Sequence, residues 1–93
     1  MLVKVKLFAN FRELAGEAVM ELEATTAGEM IERLLAAKPR LEGELLEEGD
    51  EGQGVKGGVS VMVNGRNINF LEGLDTPLDD EDTVAIFPPI GGG

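Results

Sequence analysis

Thr83-Val84-Ala85-Ile86-Phe87-Pro88-Pro89-Ile90-Gly91-Gly92-Gly93 is the stretch of sequence that decides the fold of this chain of 93 residues. Val84 and Ile86 fall on one face of the opening run and Phe87 on the other, which predicts a strand. The two prolines keep the following chain extended, because each fixes φ and disfavours helix in the residue before it. Glycine has no Cβ, so a glycine tail can enter a channel too narrow for other residues. We therefore predict a final strand inside a sheet and a narrow tail that carries the function on the carboxylate of Gly93; a frayed, inert terminus is the alternative.

The composition excludes most kinds of catalysis by this chain alone. It has no cysteine and no histidine, which excludes a thiolate nucleophile, a Cys/His zinc site, a disulfide and an imidazole base. Its 18 acidic and 8 basic residues give a net charge of -10, which repels phosphate backbones and anionic lipid headgroups. We therefore expect no nucleic acid and no membrane as partner, and instead a protein with a basic surface.

Length and the opening residues predict a single domain in the cytoplasm. A chain of 93 residues is enough for one small core, so residues 1–93 are interpreted as one domain. Residues Met1 to Phe8 lack the continuous apolar run of a signal peptide or a membrane span. A cytoplasmic location is the expectation that follows.

The first part of the chain predicts an antiparallel strand pair. Leu2 to Phe8 alternates apolar residues with lysines, as expected for a half-buried strand. Glu17 to Glu23 is a second, weaker strand, and the segment Phe11 to Gly16 between them is interpreted as a long turn.

A helix of about three turns is predicted to follow. Thr26-Ala27-Gly28-Glu29 fits a capping box, in which the threonine accepts from the third helical amide and the glutamate reaches back toward the cap. Pro39 ends the helix. Its apolar face is predicted from residues at helical spacing, namely Ala27, Met30, Ile31, Leu34 and Leu35.

Glutamate and glycine dominate the segment from Arg40 to Gly58. It predicts a short helical turn around Leu45-Leu46 and then a mobile loop from Gly49 to Gly58. A solvated loop is favoured over a calcium site, because Gly52 stands where a ligating Asp or Asn is needed. No metal site is therefore expected.

The remaining segments predict a second hairpin and an acidic bend. Val59 to Val63 alternates, Asn64-Gly65 is typical of a type I′ turn, and Arg66 to Phe70 is the predicted return strand. Leu71 to Leu78 is interpreted as a turn or a single helical turn. Asp79 to Asp82 is interpreted as a charged, solvated turn, with a docking patch or a cation site as the alternative. The order of elements predicts an α+β roll, a mixed sheet of about five strands crossed by one main helix.

With these elements the chain resembles the β-grasp, ubiquitin-like sulfur carriers of the MoaD and ThiS type, and most of all the archaeal-type small subunit of molybdopterin synthase. The resemblance is carried by the strand ending Leu7-Phe8, by Phe11 to Gly16, by Val63-Asn64-Gly65 and by Leu78 to Gly93. The chain departs from the family pattern at two positions. Glu81 stands where a glycine is usual in the bend before the last strand, and Gly91 adds a third glycine where alanine or serine is common.

The resemblance implies a β-grasp domain with a flexible tail over residues 88–93. An ATP-dependent activating enzyme would adenylate Gly93, and sulfur from a sulfur-donor protein would replace AMP to give a thiocarboxylate. The tail would then enter the large subunit of molybdopterin synthase and deliver sulfur for molybdenum cofactor biosynthesis. The chain would bind no cofactor and supply no catalytic residue besides its terminus, since the ATP is used by the activating enzyme. The residues implied to enter the partner's channel are Pro88, Pro89, Ile90, Gly91 and Gly92.

We expect the docking surface on the sheet face and edges near the tail. Phe8, Phe70 and Phe87 are candidates for apolar contacts with a partner, with core packing as the alternative for each. Arg12 and Arg66 are candidates to pair with acidic residues of a partner, or are simply solvated.

Three other functions share the same features. A ubiquitin-like protein modifier would use the same activation and join Gly93 to lysines. A sulfur carrier for thiazole synthesis in the thiamine pathway fits less well, because those chains are usually shorter and lack the long acidic loop. A binding module with an inert tail is the remaining alternative.

Overall fold

The computed structural model describes residues 1–49 and 52–89 of the chain. Within them, the strands of the main sheet are β1 (Leu2–Leu7), β2 (Val19–Glu23), β5 (Ser60–Val63), β6 (Arg66–Asn67) and β7 (Thr83–Phe87). Their order in the sheet is β2-β1-β7-β5-β6. Strand β1 pairs antiparallel with β2 and parallel with β7, and β7 pairs antiparallel with β5. The final strand therefore lies inside the sheet, as the sequence predicts.

The predicted main helix is α2, Ala27–Ala37, which packs against one face of the sheet. Thr26 caps it, because its Oγ1 accepts from the Glu29 amide at 3.1 Å. The Glu29 carboxylate accepts from the Thr25 amide at 2.7 Å, one residue before the cap. This bond, with a second from the Thr25 hydroxyl, lowers the pKa of Glu29 below its ordinary value. The capping box therefore forms with a one-residue displacement of its return bond.

One hydrophobic core lies between the sheet and the helices. The inward residues of β1 and β7 alternate with exposed or half-buried ones, which is the period expected when one sheet face is covered. Full burial of a large apolar side chain contributes about 1.5–3 kcal/mol to the free energy of unfolding, so the buried residues of the strands and helices account for most of the domain's stability. The largest fully buried side chains are Val3, Val5, Leu7, Phe11, Met30, Leu34, Leu41, Leu45, Val61, Val84 and Ile86.

The sequence predicts a long turn between β1 and β2, and this prediction is wrong. It forms a helix, α1, Ala9–Ala15, which buries Phe11 and Ala15 in the core. Gly16 ends the helix at φ 78°, and its amide donates to the Arg12 carbonyl at 2.9 Å. The apolar residues of this short segment recur at helical spacing, and tertiary burial stabilises a helix too short to form alone.

The segment from Leu46 to Val55 also differs from its prediction. A short helix, α3 (Glu42–Leu45), matches the expected helical turn. The predicted loop, however, contributes to a separate hairpin of β3 (Leu46–Gly49) and β4 (Gly52–Val55). Leu46 lies opposite Val55, and both pack against the core. This one apolar pair and the backbone ladder are enough to form a hairpin, although the segment has no extended alternation of apolar residues. Residues 50 and 51 lie outside the described residues.

The Asn64-Gly65 hairpin is confirmed, with φ of 51° and 86° at the two turn residues. Its return strand is shorter than predicted, because the Asn67 side chain accepts from the Asn69 amide at 2.9 Å and starts a 3₁₀ turn over Ile68–Phe70. A second 3₁₀ turn, Gly73–Asp75, is the helical turn predicted in the following segment. A third, Pro39–Leu41, follows α2.

Candidate functional site

The candidate site begins where β7 leaves the sheet. Ile86 is paired with Leu7 of β1, and Phe87 with Ser60 of β5, so the chain leaves between two strands. Pro88 is half-buried and Pro89 is exposed. The predicted reactive end, residues 90–93, lies outside the described residues. The site can therefore be built up to Pro89, the base of the tail.

An aromatic pair, Phe8 and Phe87, lies at this base. The two rings stack with their centroids 4.4 Å apart and an angle of 13° between their planes. Phe8 follows the end of β1 and precedes α1, while Phe87 is the last residue of β7. Such a pair contributes about 0.5–1.5 kcal/mol beyond the area it buries. It therefore holds the end of β7 firmly and presents half-buried apolar surface beside the tail.

The turn before β5, which contains Gly58, contacts the tail base at Pro89, two residues after the aromatic pair. The Val59 amide donates to the Lys56 carbonyl at 3.0 Å, and Gly58 within this turn has φ +88°. A Cβ placed on Gly58 would lie 3.0 Å from both Cβ and Cγ of Pro89. The proline ring thus lies directly against the Gly58 backbone.

The sheet face opposite the core adjoins the aromatic pair, and we call it the open face. The strand registers place Lys4 opposite Thr83, Lys6 opposite Ala85, and Met62 opposite Ala85. Both lysines are exposed, and neither is in an ion pair among the described residues. A protein of net charge -10 therefore carries two cationic side chains on the face next to its tail. These lysines are not among the predicted site residues, although their alternation with Val3, Val5 and Leu7 places them on the outward face of β1.

The structure brings together only some of the predicted partner-binding residues. Phe8 and Phe87 are in contact, and Arg12 is exposed on α1 one turn after Phe8. Phe70 is 88% exposed, on the 3₁₀ turn after β6. Arg66 pairs with Val63, which is opposite Val84 near the start of β7, so it lies toward the end of the sheet away from the tail.

The acidic bend before β7 is held by its own carboxylates. Asp82 accepts from the Asn64 side-chain amide at 2.9 Å and from the Asp79 backbone amide at 2.8 Å. Asp80 accepts from the Leu2 amide at 2.8 Å. Between them, Glu81 has φ 68°, the left-handed conformation in which the family resemblance leads one to expect glycine. The described residues contain no group of three or more acidic side chains arranged to hold a metal ion, and no helix among them is long and apolar enough to cross a membrane.

A mixed five-stranded sheet with its last strand inside, one main helix packed on it and a glycine tail beyond that strand define a β-grasp, ubiquitin-like carrier. The model of the ThiS family matches residues 5–93, nearly the whole chain. The chain therefore belongs to the ThiS family.

Two relatives are similar over the full length of the chain. Small archaeal modifier protein 3 of Haloferax volcanii is 38% identical over 96 residues, with 100% of both chains covered. The molybdopterin synthase sulfur carrier subunit of Escherichia coli is 33% identical, with 99% of this chain and 100% of the relative covered. The family thus joins sulfur carriers and protein modifiers, and the chain is a ubiquitin-like protein of this group.

Solved structures have the same fold. Small archaeal modifier protein 1 from Methanosarcina acetivorans superposes with a TM-score of 0.90 and 40% identity, covering 99% of this chain and 96% of that one. A complex of subunits 1 and 2 of molybdopterin-converting factor from Helicobacter pylori contains a chain with a TM-score of 0.64 and 25% identity, covered fully on both sides. Homologues of this chain therefore form complexes with a second subunit.

Proposed function

We propose that the chain is a sulfur carrier whose Gly93 is adenylated and converted to a thiocarboxylate, and that it acts as the small subunit of molybdopterin synthase. The observation that supports this most is the construction of the tail base. Strand β7 is held on both sides as far as Ile86, and Phe87 is held by its pairing with Ser60 and by the Phe8 ring. Two prolines then lead toward the glycines of the sequence. A rigid exit of this kind suits a tail that must reach into the site of another protein.

The carboxylate must be activated because oxide is a poor leaving group. An oxygen of Gly93 attacks the α-phosphorus of ATP in the activating enzyme, pyrophosphate leaves, and an acyl adenylate forms. Hydrosulfide then attacks the carbonyl carbon, the bond to the AMP oxygen breaks, and AMP leaves with the electron pair. The sulfur proton passes to solvent, leaving a thiocarboxylate. With a protein persulfide as donor, the product is an acyl disulfide, which a thiol reduces to the thiocarboxylate while a disulfide forms.

The thiocarboxylate would be delivered within a complex. The tail would enter the large subunit, where sulfur passes to a cyclic pyranopterin precursor, two transfers building the dithiolene. This step is suggested by the carrier subunit of E. coli and by the two-subunit complex of H. pylori. The aromatic pair and the open face, which flank the tail base, would form the docking surface. ATP, the catalytic base and the pterin site would all belong to the partners.

A protein modifier is the second candidate, favoured by the two archaeal relatives of 38% and 40% identity that are modifier proteins. Here a lysine amine of a target would attack the activated carbonyl of Gly93, AMP would leave, and an isopeptide bond would form. Activation is common to both functions, and the acceptor separates them.

Mass spectrometry tests the activation that both functions share. The purified chain is incubated with an activating enzyme, ATP and sulfide, and the mass of an oxygen-to-sulfur exchange at Gly93 is expected. Deletion of Gly93 moves the carbonyl by one residue, about 3.5 Å along an extended chain, and should abolish this gain. Gly92→Val should act similarly by steric exclusion. Gly43→Ala, at an exposed position with open space for a Cβ, is the matched control and should be modified like the wild type.

Equal modification of the truncated chain would overturn the proposal. If the wild-type chain is thiocarboxylated and the truncated chain is not, the sulfur acceptor is identified by adding the large subunit and the pterin precursor to the thiocarboxylated chain. Consumption of the thiocarboxylate with formation of dithiolene supports the synthase function. Covalent ladders of a tagged chain in cells, absent when Gly93 is deleted, support the modifier function instead.

A further inference from the structure

We infer that Gly58 is a positioning residue for the C-terminal tail, acting through its contact with the ring of Pro89. The turn Lys56 to Val59, which contains Gly58, forms a rigid surface against which Pro89 lies, and we call this surface the wall. The wall sets the direction in which the tail leaves the sheet. The inference rests on the proposed function, because it concerns how the tail reaches the activating site.

Two independent features require glycine at position 58. Its φ of +88° lies in the region that residues with a Cβ rarely adopt. A Cβ there would also lie 3.0 Å from two carbons of the Pro89 ring and 3.7 Å from its Cα. The chain therefore cannot place a larger residue at this position and keep Pro89 where it lies.

The wall is anchored on both sides of Gly58. The Lys56 amide donates to the Leu45 carbonyl at 2.8 Å, which joins the turn to the end of α3. The Val59 amide donates to the Lys56 carbonyl, and the Val59 side chain is buried in the core. An added Cβ would accordingly displace Pro89, which is exposed, rather than the turn, which is held.

The tail base is thus confined from two directions. Phe87 is held by the Phe8 ring and by its pairing with Ser60, and Pro89 two residues later meets Gly58. Gly93 is four residues beyond Pro89, a reach of up to about 14 Å. A change in direction at Pro89 therefore alters the position from which the reactive carboxylate enters the activating site.

The first test compares Gly58→Ala with Gly57→Ala in the thiocarboxylation assay. Gly57 is the neighbouring residue, its φ is not in the left-handed region, and a Cβ on it would meet open space. A Cβ at 3.0 Å requires the Pro89 ring to move by a few tenths of an ångström. Because misplacement of a reacting group by about 1 Å can cost up to about a hundredfold in rate, we expect Gly58→Ala to lower kcat by about threefold or more. The KM of the chain as substrate should stay within about twofold, because the surface of the folded domain away from Pro89 is unchanged. Gly57→Ala should match the wild type.

A double-mutant cycle separates positioning from loss of stability. Pro89→Gly removes the ring that the new Cβ would push, while the backbone strain of Gly58→Ala remains. If Gly58 acts through Pro89, adding Gly58→Ala to Pro89→Gly should lower kcat no further, although the backbone strain should still lower the Tm in both backgrounds. Equal loss of kcat in both backgrounds, or equal rates for Gly58→Ala and Gly57→Ala, would overturn the inference. Failure of the wild-type chain to gain sulfur would instead overturn the proposed function.

Discussion

Replacing Glu81 by glycine should stabilise the protein. Glu81 has φ 68°, and the bend around it is fixed by neighbours, since its amide donates to the Leu2 carbonyl at 2.9 Å and Asp80 accepts from the Leu2 amide. A residue with a Cβ in this conformation costs about 1–2 kcal/mol. Glycine removes that cost but loses about 0.5–1 kcal/mol to the greater freedom of the unfolded chain. We expect a net gain of about 0.5–1 kcal/mol, or roughly 2–8 °C in Tm for a domain of this size.

Thermal unfolding followed by circular dichroism, together with urea unfolding, measures this gain. Glu81→Gln is the matched control, because it removes the same charge but keeps the strained backbone. It should change stability by less than about 0.5 kcal/mol, as exposed substitutions usually do. A Glu81→Gly variant no more stable than Glu81→Gln would refute the reasoning, because the gain would then come from charge and not from backbone conformation.

Four further predictions concern the core, the cap and the docking surface. Ile86→Ala should cost about 2–5 kcal/mol in urea unfolding, because Ile86 is fully buried at the centre of the sheet, and a smaller loss would place that strand outside the core. Glu29→Gln should be less stable than the wild type at neutral pH, and the difference in unfolding free energy should shrink in acid. The folded-state pKa of Glu29 is lowered, so its contribution to stability is complete above its ordinary pKa and is lost as pH falls through the lowered one. An unchanged difference between pH 7 and pH 3 would contradict this. Phe87→Ala should lower stability by about 1–2 kcal/mol and weaken binding to the proposed large subunit in calorimetry, whereas Phe70→Ala, at a side chain 88% exposed, should leave stability unchanged. The rate of association with the proposed large subunit should depend on salt, given the net charge of -10, and a rate independent of ionic strength in stopped flow would exclude electrostatic steering.

Local patterns account for the parts of the fold that the sequence predicted. The alternation of Val3, Val5 and Leu7, the cap at Thr26 and the Asn64-Gly65 turn each determine structure through their immediate neighbours. The resemblance in the last strand and tail then supplied the β-grasp topology. These features needed no knowledge of distant contacts.

The remaining features depend on contacts between distant residues. Helix α1 forms because Phe11 is buried in the core, and the β3–β4 hairpin forms where Leu46 and Val55 meet the same core. Stacking of Phe8 on Phe87 joins residues from opposite ends of the chain, and so it has no signature in either segment. The Gly58 contact with Pro89 is of the same kind.

The pairing of β7 also determines how the domain withstands mechanical load. A partner that draws the tail into a channel, as proposed, would pull Phe87 along the axis of β7, away from Thr83. On one side β7 is parallel to β1, and on the other it is antiparallel to β5. The hydrogen bonds of the antiparallel ladder lie across the pulling direction, and those of the parallel ladder are slanted to it. Such a force loads the bonds together in shear, whereas a strand at a sheet edge pulled sideways would peel off one bond at a time. The tail can therefore be held under tension while the domain behind it stays folded.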